Sequence, residues 1–316
     1  MGKSNGDDFF DFLNYEEEKI HSDDVFAEEV NYDLINENIY ALLEKYPVLK
    51  NVLIEANIKI PLMKKFIPQG ITLMHDYILI SGYYDGDELS EVYVLNNSGE
   101  IVNKVKLDTK SHVGGIAYDD VNDLIWLPAD NGVLNVYNAF EFLEKKTIKK
   151  IRSFKNVGDG LTDYQDDEKN LVAYVEVDGD YLYIGNFYKT KKCIVKKYRV
   201  STNGKIHLEY IDSFYLPKKV QGISFYEIND KKYLIVSTSF NRRTKSNLYI
   251  YEYDDDIKEY DKSIIRQIEI PPMAEQIDIR DDKLYVIFES SASKYYNAQD
   301  KVDKILILDL NKVLVK

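Results

Sequence analysis

The feature that most constrains this chain is a strand-turn-strand phrase that returns five times, each time opening into a different polar loop. In register the phrases are YILISGYY from Tyr77, DLIWLPAD from Asp123, YLYIGNFY from Tyr181, YLIVSTSF from Tyr233 and KLYVIFES from Lys283. A repeated unit of this kind cannot bury its apolar face alone, so the units must stack into an array. The spacing is uneven, roughly 40 to 58 residues, which suits a four-stranded blade with variable loops better than a helical solenoid.

A third strand follows each phrase: EVYVLN from Glu91, VLNVYN from Val133, IVKKYRV from Ile194, NLYIYEY from Asn247 and KILILDL from Lys304. A fourth is visible from Ile101, Tyr210 and Ile265, but the fifth repeat runs out at Lys316. Residues 58–67 resemble those fourth strands, so an N-terminal strand is expected to complete the last blade and close the ring, removing exposed edges. The reading is an all-β, five-bladed β-propeller over residues 57–316, preceded by an acidic, partly helical arm over residues 1–56. Its blades fall at 69–108, 112–155, 171–216, 219–270 and 273–316 with 57–67. Residues 156–170 form a Gly- and Asp-rich insertion before the third blade.

In the arm, residues 1–22 read as a polar tail. Ser22 and Asp23 are candidate N-caps for a helix running along Val30, Leu34, Ile35, Ile39, Leu42 and Leu43 until Pro47 stops it, and a second short helix is expected over 48–56. The net charge of −13 belongs mostly to this arm: residues 1–56 carry −10 and the ring only −3. The ring therefore offers no basic stripe to neutralise phosphates, and nucleic acid is not expected as a ligand. Tyrosine outnumbers phenylalanine 27 to 13, which favours strands. Cys193 stands alone, excluding an intrachain disulfide and a cysteine-rich zinc site. No window reaches the 18 apolar residues of a membrane span, and the start as written carries no secretory signal.

With the four strands of each blade lettered a to d in chain order, the d–a and b–c loops of such a ring share one face. The a–b turns at His75–Asp76, 178–180 and Asp281–Asp282 are tight hairpins, whereas the b–c loops are long in four blades, so function is expected on the d–a and b–c face. The entries to the first strands align as Gln69-Gly70-Ile71, Gly114-Gly115-Ile116, Gln221-Gly222-Ile223 and Glu275-Gln276-Ile277. Small residues allow backbones to crowd an axis. A polar ring of Gln69, His112, Asp130, Asn186, Gln221, Arg242, Glu275 and Glu289 is expected near that axis, either as hydrated filling or as a ligand site.

The segments FIPQGITL from Phe66, SHVGGIAYD from Ser111, KVQGISF from Lys219, PMAEQIDI from Pro272 and FESSASKY from Phe288 resemble a propeller family of Gram-positive bacteria with YncE/NHL-like architecture. The resemblance covers about residues 60–316. It implies a secreted or surface-attached protein and brings no catalytic residues with it. The alternative location is the cytoplasm.

Three classes of function are compatible with these residues. The first is a non-catalytic binding propeller for a carbohydrate, peptide or surface partner, with Tyr83, Tyr84, Phe187, Tyr188, Phe240, Tyr295 and Tyr296 as exposed aromatic platforms beside amides. Its ligand-binding set is Gln69, Tyr83, His112, Asn186, Phe187, Gln221, Arg242, Glu275 and Glu289. The second is a hydrolase. A glycosidase would use carboxylates among Glu275, Glu289 and Asp130, and a calcium-dependent lactonase-type enzyme would gather Asp130, Asn186, Glu275 and Glu289 around the ion. No cofactor is otherwise expected. The third is a scaffold whose acidic arm docks a protein partner. The acidic stretches at Asp85–Glu88 and 254–256 lack calcium-loop spacing, and the serines after Glu289 lack a nucleophile elbow.

Overall fold

The structure, a computed structural model, describes residues 39–63, 65–155, 157 and 172–314. The chain enters through helices α1 (Ile39–Leu43) and α2 (Pro47–Val52) and strand β1 (Leu53–Glu55). Pro47 sits in the first turn of α2, where its missing N–H costs nothing. The expected first helix is seen only as α1. Its earlier residues, the polar tail and nearly all of the 156–170 insertion lie outside the described residues.

Each repeat folds as an antiparallel four-stranded sheet. The first contains β2 (Phe66–Met74), β3 (Tyr77–Tyr84), β4 (Glu91–Asn96) and β5 (Ile101–Lys106). The second contains β6 (Ala117–Asp119), β7 (Leu124–Ala129), β8 (Val133–Asn138) and β9 (Arg152–Phe154), with α3 (Glu141–Glu144) in its last connection. The third contains β10 (Tyr174–Asp178), β11 (Tyr181–Gly185), β12 (Cys193–Ser201) and β13 (His207–Leu216). The fourth contains β14 (Val220–Ile228), β15 (Lys231–Thr238), β16 (Ser246–Glu252) and β17 (Arg266–Ile270). The fifth contains β18 (Ala274–Arg280), β19 (Lys283–Phe288) and β20 (Leu306–Asp309), completed by β1, and α4 (Leu310–Leu314) follows β20.

The inner strands β2, β6, β10, β14 and β18 neighbour one another in that order, and β18 returns to β2. The ring is therefore closed, and the protein is a five-bladed β-propeller. Burial follows from this geometry. The inner strand β2 is buried along its whole length, whereas the outer strands β5, β13 and β17 bury few of their side chains. Four apolar clusters fill the spaces between blades. Cys193 lies in one of them, and burial pushes its thiol up, as expected of a structural cysteine.

The closing strand lies earlier than expected. Leu53 pairs with Leu308, Ile305 N–H donates to Ile58 O at 2.9 Å, and Ile60 N–H donates to Asp303 O at 2.9 Å. The closing segment is thus 53–60, and Phe66 and Ile67 open the inner strand of the first blade instead. The reason is period-two burial: Ala56, Ile58 and Ile60 point inward while Asn57 and Lys59 are exposed. Leu43, Tyr46, Leu49 and Val52 of the preceding helical segment join the same apolar cluster. This part of the arm is structural.

A chain beginning at residue 61 should lose this closure. Each buried apolar side chain removed withdraws about 1.5–3 kcal/mol, and the edge of β20 is left open to other molecules. Size-exclusion chromatography and thermal melting should show an associating, destabilised protein, with the monomer restored when residues 39–60 are returned. An unchanged monomer with an unchanged Tm would refute this account of closure.

Candidate functional site

The mouth of the ring is built by β-bulges at the same place in three blades. Pairing of β2 with β3 jumps from Pro68–Gly82 to Gly70–Ser81, leaving Gln69 as the extra residue. The β14–β15 pairing skips Gln221 in the same way, and the β18–β19 pairing skips Glu275 and Gln276. A bulge inserts one residue without a partner and re-aims its side chain. Gln69 Nε2 donates to Glu289 Oε2 at 2.7 Å and to Pro68 O at 2.9 Å. Gln221 Nε2 donates to Glu275 Oε1 at 3.4 Å. Glu289 arrives from the end of β19.

Glu275 and Glu289 are 3% and 2% exposed and hydrogen-bond each other. Burial pushes Glu275 well above the usual carboxylate range, and the charge of Glu289 pushes it further. Burial also raises Glu289, to about 7, against the restraint of the Gln69 amide. Like charges in contact cannot both ionise, so Glu275 keeps its proton and donates it to Glu289.

Around the pair stand Tyr83 and Tyr295, both buried, and His112, whose ring lies 4.4 Å from that of Tyr83. Burial, with help from the charge of Lys294, pulls the His112 imidazole down to about 3, so it is neutral at physiological pH. The Lys294 ammonium lies over the Tyr83 ring at 5.7 Å and the Tyr295 ring at 5.9 Å. The Arg242 guanidinium is 5.1 Å from the Tyr295 ring, and its Nη1 donates to Asn297 Oδ1 at 2.6 Å.

Directly below the pair, Gln276 closes the axis. Its Oε1 accepts from Ile71 N–H at 3.1 Å and Ile116 N–H at 2.8 Å. Its Nε2 donates to Ile116 O and Val175 O, each at 2.9 Å. One side chain from the fifth blade therefore holds the first three. It fits because Gly70 and Gly222 face it: a Cβ on Gly70 would lie 2.9 Å from Gln276 Oε1, and one on Gly222 would lie 2.8 Å from Gln276 Cα. One layer further along, Ser224 Oγ donates to Glu176 Oε1 at 2.8 Å and Leu73 N–H donates to Asp278 Oδ2 at 2.7 Å. Burial raises both of these carboxyls, Asp278 to about 6.

The expected polar ring is thus assembled in part. Gln69, Gln221, Glu275 and Glu289 meet, with Tyr83 and His112 against them and Arg242 at the rim. Asp130 is exposed, and its hydrogen bonds go to His112 N–H and Ser111 Oγ. Asn186 Oδ1 accepts from Ile194 N–H at 2.8 Å and so pins the loop of its own blade. Among the described residues no group of three or more His, Cys, Asp or Glu side chains is placed to hold a metal ion. Two carboxyls in direct contact also miss the separation of about 5 Å or more that a glycosidase needs.

The aromatic platforms are corrected as well. Tyr83, Phe187, Tyr188 and Tyr295 are buried, and Tyr84 and Phe240 are half-buried; of the seven, Tyr296 alone is exposed, at 71%. Sequence reasoning passed over Gln276, Lys294, Glu176 and Asp278. The signal for Gln276 was present, because it occupies the position that is glycine in three other blades and only one side chain can fill an axis.

The class these features define is a closed five-bladed propeller with a sealed polar axis. No protein-family model matches the sequence, and no curated protein matches it. Solved structures do align with it. The Cps50 (Swd1) propeller domain of Myceliophteria thermophila does so at 13% identity and TM-score 0.41, over 77% of this chain and 82% of that one. A chain of a nidogen/laminin complex aligns at 12% identity and TM-score 0.40, over 74% of this chain and 75% of that one. Chaetomium thermophilum Raptor aligns at 12% identity and TM-score 0.36, over 76% of this chain and 18% of its own. No helix among the described residues is long and apolar enough to cross a membrane.

Proposed function

We propose that this propeller is a non-catalytic interaction module that engages a protein or peptide partner through its d–a and b–c loop face. The observation that carries the reading is the state of the mouth. Glu275 and Glu289 are sealed, in contact with each other and bonded to Gln69 and Gln221, so they close the axis rather than flank a scissile bond. What remains available on this face is loop surface, including Tyr296 at the tip of the fifth-blade loop. Burial of the aromatic rings removes the main support for a sugar platform. The hydrolase alternative rests on Glu289 alone, a carboxyl poised near 7 for acid–base work. The resemblance to exported Gram-positive propellers extends the proposal to a secreted or surface location, with the cytoplasm as the alternative to be separated by cell fractionation.

A photo-crosslinking residue at position 296 or 243, compared with one at position 281 on the opposite face, tests the reading in extracts of the source cells. Adducts concentrated at 296 and 243 are expected. Equal labelling of both faces would defeat it. So would hydrolysis of an aryl glycoside or aryl lactone that disappears in Glu289→Gln.

A further inference from the structure

The loop from Glu289 to Asp303 crosses the mouth as a strap. Its Ser293–Tyr295 segment forms a 3-10 turn against β2. On one side it is tied to the fourth blade, where Gln299 N–H donates to Arg242 O at 3.0 Å and Asn297 holds the Arg242 side chain. On the other side it reaches the first blade, where Lys294 lies 3.9 Å from Asp85 and over the Tyr83 ring. The Lys294 side chain is only 15% exposed, its ammonium lies near both tyrosine rings, and its charge acts on Glu289. Aromatic faces and a nearby carboxylate together form an environment for a desolvated cation.

We propose that this mouth is a receptor for a primary ammonium group on an unbranched chain, such as a lysine side chain presented by a partner, and that Lys294 is its internal occupant. A partner's lysine would enter by exchange: Lys294 leaves with the strap, and the incoming ammonium takes its place over Tyr83 and Tyr295 beside Glu289. The closed strap is not fully satisfied, since the buried Ser291 hydroxyl has no hydrogen-bond partner among the described residues, and opening would rehydrate it. This inference rests on the interaction reading above, because it names the chemistry recognised on the same face.

Chemical rescue tests it on the full chain without any partner. Lys294→Ala retains Cβ, so the missing piece is n-propylammonium. Titration with n-propylammonium chloride is expected to raise the Tm of Lys294→Ala by about 2 °C, with sodium chloride as the ionic control. Wild type should not respond, and adding Glu289→Gln to Lys294→Ala should abolish the rise. An equal response to 1-propanol would reduce the site to a void and overturn the proposal, as would an equal response in wild type. Lys294→Met, which keeps the stem and loses the charge, provides a second measurement: a Tm about 2 °C below wild type is expected, and a Tm equal to wild type overturns the proposal. Failed rescue with crosslinks at 296 intact would defeat the ammonium site alone. Rescue without such crosslinks would defeat the interaction reading alone.

Discussion

Replacing Gln276 by leucine is expected to destabilise the propeller by about 4 kcal/mol, lowering Tm by roughly 8 °C. Leucine fills nearly the same volume, so the loss isolates hydrogen bonding from packing. Gln276 satisfies two backbone N–H groups and two carbonyls at the axis, from three blades other than its own. Without it all four groups stay buried and lose a partner, and each such group costs about 1–3 kcal/mol, less whatever relaxation recovers. Gln276→Glu should also destabilise, because a carboxylate cannot donate to Ile116 O and Val175 O. Thermal and urea unfolding of the two variants are the measurements. A Leu variant within 1 °C of wild type would show that the axis is held by the blade interfaces alone.

The second large effect is a pH dependence assigned to Glu289. Its folded pKa of about 7 lies above its ordinary value of 4.5, so the folded state binds more protons than the unfolded chain between those values. Stability associated with this group is complete below about pH 4.5 and is lost as pH rises through about 7. Asp278, raised from 3.8 to about 6, acts in the same direction over a lower window. His112, lowered from 6.5 to about 3, acts in the opposite direction between those values. Both are retained in Glu289→Gln, so the difference between variant and wild type reads the Glu275–Glu289 pair, in which the charge of Glu289 also helps Glu275 keep its proton. The variant should match wild type near pH 4.5 and exceed it by about 2–3 kcal/mol above pH 8, read as a gap in Tm that widens with pH. A constant gap across that range would place the shared proton elsewhere.

Glu289 also shows how far register alone reaches. Its position at the exit of a second strand, with Gln69, Gln221 and Glu275 at the entries of first strands, puts all four at the same end of their blades. Contact between Glu275 and Glu289 was not legible, because it depends on bulges that add one residue to β2, β14 and β18 without leaving a gap in the apolar pattern. Asp130 and Asn186 were grouped with the mouth by the same register argument. Register fixes which end of a blade a residue occupies, but not how far from the axis its side chain stops.

By itself, the sequence determined the number of blades, the order of their strands, the face that carries the long loops and the need for an N-terminal strand to close the ring. Those properties follow from period-two burial and from repetition, which are local and recur five times. The tertiary structure decided which eight residues close the ring, that one glutamine locks the axis, that two carboxyls are buried together at its mouth and that Tyr83 and Phe187 lie inside. These outcomes come from single side chains meeting across blades more than a hundred residues apart in some cases, as Gln276 and Ile116 do. A symmetric repeat leaves room on its axis for only one such occupant, and which blade supplies it is settled by packing in three dimensions.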